Sequence, residues 1–271
     1  MPRAFRIFAV LAAISLMPAS GFAAFLPPLG RGTKSGSNIT LRKRLHVNTL
    51  ITEPGTAEIE WGSLYSASTD NFTLPAAFKY TPRGPHIIWG RTEYSVAFDS
   101  VSVADVGGGR VAQFSQSLTA TATSVLHDGE KLDIAIAPQA VFFLRGEQGS
   151  RLGAVAIARY DTGRNSMGVT VSWSAATHSS PSNPAGTFDV GLGYGRRLAA
   201  SGLLGKFTPH GNAVWERSTG LERVVSVFEG VEYQMTDRLA FDLSGQHFGI
   251  NASAPDNQVV FGITLNVGKL H

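Results

Sequence analysis

Residues 257–271, NQVVFGITLNVGKLH, alternate between two kinds of side chain. The odd-numbered positions are large and apolar: Val259, Phe261, Ile263, Leu265 and Val267. After Val260, the even-numbered positions are small or polar: Gly262, Thr264, Asn266 and Gly268. Successive side chains of a β-strand point to opposite faces, so a strand here has one apolar and one polar face. Such a strand is typical of a wall between hydrocarbon and water.

The same alternation recurs in the segments upstream. The fourth segment has an unbroken polar row: Gln113, Ser115, Ser117, Thr119, Thr121 and Thr123. The eighth places Phe188, Val190, Leu192 and Tyr194 opposite Asp189, Gly191, Gly193 and Gly195. Twelve such segments follow from Ala57 onward, and single-chain bacterial barrels have an even number of strands. The sequence therefore predicts an all-β fold, a transmembrane antiparallel up-and-down β-barrel of about 12 strands over residues 57–271, closed so that no backbone edge faces lipid.

The links between these segments differ in length. Tight turns are predicted at Asp128, Gly163 and Asp237, whereas the links near Gly107 and Pro181 are longer and rich in polar residues, as is the link near Pro255. Outer-membrane barrels have short periplasmic turns and long external loops. We therefore expect the tight turns, together with both termini, on the periplasmic side. The link over residues 198–206 is too long for this rule.

The N-terminal residues have the pattern of an export signal. Arg3 and Arg6 precede an apolar run over residues 7–17, and small residues follow at Gly21 and Ala23. This pattern predicts a cleaved secretory signal peptide over residues 1–23. Residues 24–56 are then expected to form a periplasmic lead-in segment. Together with the barrel, they predict a location in the outer membrane of a Gram-negative-type envelope, with outer-membrane lipid as a partner.

The composition excludes some classes of protein. Charged residues make up 16% of the 271 residues, below the roughly 25% of soluble domains. The chain contains no cysteine, so after export it cannot depend on disulfides for stability. Its formal charge of +3 includes the two arginines of the signal peptide, which leaves the mature chain close to neutral. This balance gives no support to nucleic-acid binding.

Four stretches resemble a known family. They are GTFDVGLGYGRRL from Gly186, HGNAVWERSTG from His210, FEGVEYQMTDRLAFDLSGQHFG from Phe228 and VVFGITLNVGKL from Val259. These stretches are similar to the outer-membrane transporter family described as the MetA pathway of phenol degradation. The resemblance extends from about Glu58 to the C-terminus. It implies a twelve-stranded barrel that transports small solutes, and the shared motifs include no catalytic signature.

The polar faces of the predicted strands define the candidate pore-lining residues. They are Lys79, Arg91, Glu93, Asp133, Arg159, Asp189, His210, Asn212, Glu216, Glu232 and Asp242, beside Glu58 and Glu60. Charges of both signs occur among them. Such groups either select solutes in an open pore or neutralise one another in a packed polar plug, and both interpretations stay open here. The first predicts passage of small solutes, aromatic or apolar ones included, and the second a non-conducting structural or interaction barrel.

Two further hypotheses complete the set. The first is a lipid-modifying hydrolase, for which the sequence offers few candidate catalytic residues. They are His178 beside Ser179, and His210 on one face with Asn212 and Glu216. We therefore expect no catalytic residues. We also expect no metal and no cofactor, because the sequence has no HExxH motif or acidic calcium loop. A soluble periplasmic β-sandwich is the alternative fold, since soluble strands also alternate. The oligomeric state cannot be deduced from the sequence.

Overall fold

A computed structural model of the protein describes residues 51–83, 91–105, 110–114, 117–144, 149–180, 183–252 and 256–269. The predicted signal peptide and residues 24–50 of the predicted lead-in segment lie outside these ranges. The strands are β1 (Thr56–Ser66), β2 (Asn71–Tyr80), β3 (Thr92–Asp105), β4 (Arg110–Phe114), β5 (Ser117–Asp128), β6 (Leu132–Phe143), β7 (Ser150–Asp161), β8 (Asn165–Ala176), β9 (Gly186–Arg196), β10 (Phe207–Ser218), β11 (Val224–Thr236), β12 (Leu239–Phe248) and β13 (Asp256–Lys269).

Each strand pairs with its neighbours in an antiparallel sheet that closes on itself. β13 pairs with β1, and β1 with β2, which in turn pairs with β3. β4 is not a separate wall strand, because it pairs with the second half of β3 while β5 pairs with the first half. The wall thus has twelve strands, as predicted. A closed sheet satisfies the backbone hydrogen bonds without an exposed edge.

The predicted alternation is also confirmed on the described wall strands. The predicted fourth segment is the exception, because Gln113 lies in β4, Ser115 lies outside the described residues, and the polar row of β5 begins at Ser117. On β13, Val259 is 55% exposed and Val260 is fully buried, and the other wall strands repeat this contrast. The large apolar side chains therefore point outward and the small or polar ones inward. This arrangement contradicts the soluble sandwich, in which the apolar faces would be shared as one core.

At the start of β1, one residue departs from the alternation. Ala57 is two residues from the exposed Ile59 and would share its outer face in a regular strand, but Ala57 is buried. The register between β1 and β13 shifts between Ala57 and Glu58, whereas the pairing of Ala57 and Glu58 with β2 is regular, so the extra residue of this irregularity, Val267, lies on β13. From Glu58 onward, β1 follows the predicted pattern.

The two ends of the barrel have different links. The predicted tight turns near Asp128, Gly163 and Asp237 lie at the end where β1 begins and β13 ends, which we call the terminal end. Gly107, Pro181 and Pro255 of the predicted long links lie outside the described residues, but the strand ends on either side of them are at the opposite end, which we call the loop end. Length does not alternate strictly, because residues 67–70 form a short link at the loop end and residues 81–91 a long one at the terminal end. Which end faces the periplasm stays a prediction.

The link over residues 198–206 also lies at the terminal end and contains a 3-10 turn over Leu204–Lys206. This turn explains why the link exceeds the length of a tight turn. In the described ranges, the structure has no helix that is both long and apolar enough to cross a bilayer.

Candidate functional site, the barrel lumen

The structure places most of the predicted lumen residues on the inner face of the wall. Seven of them are buried there: Lys79, Glu93, Asp133, Arg159, Asp189, Asn212 and Glu216. His210, Glu232 and Asp242 are partly buried on the inner faces of β10, β11 and β12. Arg91 differs, since it lies just before β3 at the terminal end and forms an ion pair with Asp128. It therefore lies at the rim of the barrel rather than deep in the lumen.

Glu58, Glu60 and Lys79 form a buried ionic cluster between β1 and β2. Lys79 Nζ lies 2.5 Å from Glu60 Oε1 and 3.6 Å from Glu58 Oε1. The pairing of Glu58 with Lys79 across the two strands brings these charges together. Because burial removes all three groups from water, the ammonium group contributes to the stabilisation of the two carboxylates.

A second charged group lies near the terminal end. Arg159 is the cross-strand partner of Asp133, and its Nη2 donates to Asp161 Oδ2 at 2.6 Å. Asp133 is buried as well. The β6–β7 wall therefore combines one guanidinium group with two carboxylates, and charge is again concentrated on the inner face.

His210 and Asp242 meet across the lumen face of β10 to β12. His210 Nε2 lies 2.9 Å from Asp242 Oδ2, and the Ser244 hydroxyl donates to Asp242 Oδ1 at 3.0 Å. Gly230 on the intervening strand makes this contact possible. A β-carbon at position 230 would lie 2.9 Å from His210 Nε2 and 2.6 Å from Ser244 Cβ. The absence of a side chain at Gly230 thus leaves room for the histidine ring.

Asp189 and Glu216 are direct cross-strand partners on β9 and β10. The Ser172 hydroxyl of β8 donates to Asp189 Oδ2, and the Ser218 hydroxyl donates to Glu216 Oε1 at 3.1 Å. Directly opposed side chains in an antiparallel sheet have β-carbons about 4.5–5.5 Å apart. Two acidic side chains therefore lie next to each other on the buried inner wall.

Arg151 of β7 holds the link between β8 and β9 against the loop end. Its Nη1 donates at 2.8 Å to both Asn183 Oδ1 and the Pro184 carbonyl, and its Nη2 donates to Ser174 Oγ and Thr187 Oγ1 at 2.9 Å. Arg151 was not among our candidates. It has the same parity on β7 as Arg159, so the alternation pattern alone could have identified it.

The residues that precede β1 enter the lumen at the terminal end. The Thr52 backbone N–H donates to Glu93 Oε2 at 2.7 Å, and its hydroxyl lies 2.7 Å from that of Thr81. Ile51 belongs to a buried apolar cluster with inward side chains of β5, β6 and β7: Val125, Ala135, Ala137, Val155 and Ile157. Ile51 and Thr52, which belong to the predicted lead-in over residues 24–56, lie inside the barrel. Val155 and Ile157 are apolar residues on the inner face of β7, where the alternation predicts polar ones. Both belong to the cluster that surrounds Ile51.

The hydrolase candidates are not assembled into a catalytic arrangement. His178 and Ser179 are both exposed in the link after β8, and the His178 carbonyl accepts a hydrogen bond from Asn183 Nδ2. His210 is paired with Asp242. Among the described residues, no three His, Cys, Asp or Glu side chains are grouped as they would be to hold a metal ion.

Comparisons with known proteins identify related folds. No protein-family model matches the sequence, and no curated protein matches it. The NanC porin has a TM-score of 0.55 and 9% identity, covering 76% of this chain and 98% of its own. An outer membrane channel from Pseudomonas putida has the same TM-score and identity, covering 79% and 96%. The CymD monoaromatic hydrocarbon channel has a TM-score of 0.50 and 9% identity, covering 90% and 95%. The fold is therefore that of outer-membrane β-barrels.

Proposed function

We propose that the protein is an outer-membrane channel that passes small solutes through the lumen. The observation that carries this proposal is the division of the closed wall into an apolar outer face and a polar inner face. The apolar face suits contact with lipid, and the polar face suits an aqueous path. The fold shared with outer-membrane channels supports the same function. Export by a signal peptide over residues 1–23, followed by a lead-in segment, is part of this proposal.

Aromatic or apolar solutes belong to the proposed range. The inner wall carries an apolar cluster of Val214 and Phe228, against which Phe248 packs. The rings of Phe228 and Phe248 meet edge to face at 5.3 Å between centroids. A small aromatic solute could contact these rings without losing a polar partner. The name of the CymD channel and the sequence resemblance to the MetA-pathway family support this choice.

Single-channel conductance of the full-length, exported protein tests the proposal. We expect discrete current steps in a planar bilayer that empty bilayers lack. Gly193→Trp would place a large side chain in the lumen, because Gly193 faces inward between Gly168 and Asn212, and should reduce the steps. Gly245→Trp is the matched control, since Gly245 lies on the outward parity of β12. A silent wild-type barrel, or equal currents from both variants, would contradict passage through the lumen.

The solute class is tested in the same bilayers. Benzyl alcohol added on one side should interrupt the current briefly if aromatic solutes enter the lumen. Phe228→Ala should shorten these interruptions because it removes the edge-to-face ring contact. An uninterrupted current at all concentrations would remove aromatic solutes from the proposal while leaving the channel itself in place.

A second candidate function is a barrel with a filled lumen that does not conduct. The entry of Ile51 and Thr52 into the lumen favours it, as does the neutralisation of Lys79 by two glutamates. Steady conductance of the wild type would exclude this candidate. Silence of the wild type, with conductance restored when the Ile51 contact is removed, would support it.

A further inference from the structure

Positive charge is concentrated on one side of the terminal end. Residues 161–165, 196–206 and 236–238 link strands β7 to β12 at this end and contain five basic residues but two acidic ones. Four of the basic side chains are exposed, and we call them the basic patch: Arg164, Arg196, Lys206 and Arg238. One of the two acidic residues, Asp161, is paired with Arg159. The outer surface of this sector is therefore positively charged.

The rest of the terminal end has no such excess among its described residues. Between β1 and β6 it carries three basic and three acidic residues, namely Arg83, Arg91, Lys131, Glu53, Asp128 and Glu130. The basic patch is thus a local feature of one sector and not a general property of the rim. A cluster of basic side chains beside a membrane attracts anionic lipid head groups.

Hydrogen bonds connect the separate links into one surface. Arg164 Nη2 donates to the Leu198 carbonyl at 2.6 Å, which joins the β7–β8 turn to the link before β10. Lys206 Nζ donates to the Met235 carbonyl at 2.7 Å, which joins that link to the end of β11. Arg238 follows Met235 in the next turn. The basic patch is therefore held in a fixed arrangement across three neighbouring links.

These contacts leave the cationic groups available to a ligand. Arg164 and Lys206 stay exposed. Guanidinium and ammonium groups each carry more than one N–H donor, and the contact with a carbonyl occupies one of them. Arg196 ends β9 opposite Asn165 and is exposed on the outward side of the strand, as Leu192 is. The patch can therefore donate several hydrogen bonds to a phosphate group outside the barrel.

Exposed apolar side chains lie beside the cations. Leu204 begins the 3-10 turn that ends at Lys206, and it is 48% exposed. Met235, whose carbonyl accepts from Lys206, is 46% exposed. The adjacent rings of Phe207 and Tyr233 are 4.8 Å apart between centroids, and aromatic residues are typical of the membrane interface. Cations next to apolar side chains match a lipid, whose phosphate group is joined to acyl chains, better than a soluble anion.

We propose that the basic patch binds the phosphate head groups of anionic phospholipids, while Leu204 and Met235 contact the adjoining part of the acyl chains. The site prefers a phospholipid with a net negative charge to a zwitterionic one. The predicted periplasmic position of the terminal end agrees with this ligand, because the inner leaflet of an outer membrane consists of phospholipids. The inference does not depend on the passage of solutes through the lumen.

Native mass spectrometry of the full-length, exported protein in detergent micelles measures the binding of single lipids. We expect the wild type to bind phosphatidylglycerol more tightly than phosphatidylcholine. Arg196→Gln and Arg238→Gln, combined in one variant, should weaken the binding of phosphatidylglycerol by about fivefold for each cation removed. Its affinity for phosphatidylcholine should stay the same. Equal affinities of the wild type for the two lipids would overturn the inference.

The matched control removes the same charge from the opposite end. Arg217 and Arg223 are exposed near the loop end, on β10 and just before β11. The combined variant Arg217→Gln and Arg223→Gln should bind phosphatidylglycerol as the wild type does. An equal loss of affinity in the two double variants would show a response to net charge alone and would contradict a site at the terminal end.

The apolar part of the site separates a lipid from a free anion. Leu204→Ser should weaken the binding of phosphatidylglycerol without changing the charge of the protein. Inorganic phosphate should displace no more of this lipid than NaCl does at the same ionic strength. Selective displacement by phosphate, together with unchanged binding in Leu204→Ser, would identify a site for a soluble anion and contradict the lipid.

Photo-cross-linking locates the lipid on the wild type and requires no variant. Phosphatidylglycerol with a photoreactive group near its phosphate is added to vesicles that contain the barrel. We expect cross-linked peptides from residues 196–206 and 236–238, and fewer of them when NaCl screens the charges. Cross-links that occur at the loop end instead, or evenly around the barrel, would overturn the proposed site.

Discussion

Lys79 Nζ of β2 lies 2.5 Å from Glu60 Oε1 of β1 and 3.6 Å from Glu58 Oε1 of the same strand. All three side chains are buried on the inner face near the point where β1 pairs with β13 and closes the barrel. The Lys79 ammonium group therefore lies between two carboxylates at the closure. This relationship makes the stability of the seam depend on Lys79.

Lys79→Met should destabilise the barrel strongly. The substitution keeps the length of the side chain but leaves Glu58 and Glu60 buried without the ammonium group. Removing one partner of a buried ion pair costs about 3–5 kcal/mol. Urea unfolding in lipid vesicles measures this free energy. The control is Lys131→Met, whose exposed lysine should contribute less than about 0.5 kcal/mol. Equal effects of the two variants would show that the cluster does not support the seam.

Most of the fold could be predicted from the sequence because every strand of a barrel wall places apolar side chains on one face and small or polar side chains on the other. The alternation on β13 or on β9 depends only on which face meets lipid, so it is visible without knowledge of distant contacts. The departures occur where a distant contact decides the outcome. Ala57 is buried beside a register shift against β13, and the sequence of β1 alone does not contain that information.

Leu192→Arg should lower the stability of the protein in a bilayer. Leu192 lies in the middle of β9 and is 56% exposed on the outer face. A charged side chain facing lipid costs about 2–4 kcal/mol at the bilayer midplane. The matched control is Leu203→Arg, since Leu203 is also 56% exposed but lies in the link before β10. Urea titration of vesicle-embedded protein should separate the two variants, and equal stability would place the outer face of β9 outside the hydrocarbon.

The candidate site was predictable in part. The alternation of side chains along the strands correctly places Asp189, Asn212 and Glu216 on the inner face. It does not predict which of these side chains are neighbours across strands. The register decides that Asp189 lies beside Glu216 and that His210 reaches Asp242. The entry of Ile51 into the lumen was missed, because residues before the first strand have no alternation from which a face could be assigned.

Arg151→Lys should loosen the link between β8 and β9. The guanidinium group donates to Asn183, Pro184, Ser174 and Thr187 at the same time, and an ammonium group does not reproduce this planar set of donors. We expect faster hydrogen exchange in the link, at the Asn183 amide in particular. Because lysine keeps the positive charge, the effect would report the hydrogen bonds.

The control for this change is Arg217→Lys, in which the arginine is exposed on β10. Its exchange pattern in the β8–β9 link should match that of the wild type. Unchanged protection of Asn183 in Arg151→Lys would mean that the link is held by other contacts.

Ile51→Asp should expel the segment before β1 from the lumen. A carboxylate placed among Val125, Val155 and Ile157 would lose its hydration without a partner. The Thr52 amide, now bonded to Glu93, should exchange faster, and the conductance of the channel should rise. Ile250→Asp makes the same change at an exposed position of the loop end and should alter neither quantity. Unchanged Thr52 exchange in Ile51→Asp would contradict the apolar anchor.

Gly230→Ala and Gly245→Ala should change stability in opposite directions. At position 230 a β-carbon would lie 2.8 Å from the Leu243 carbonyl oxygen and 2.6 Å from Ser244 Cβ, so the backbone of β12 must shift. Such overpacking typically costs about 1–3 kcal/mol, and it should also break the contact between His210 and Asp242. A β-carbon at position 245 has no atom within 4 Å, and the lower entropy of the unfolded chain should stabilise that variant by up to about 1 kcal/mol. Unfolding in urea measures both. Equal stability of the two variants would show that the inner wall accommodates a β-carbon at Gly230 as easily as the outer face does at Gly245. The close approach of β11 to β12 would then not explain the position of His210.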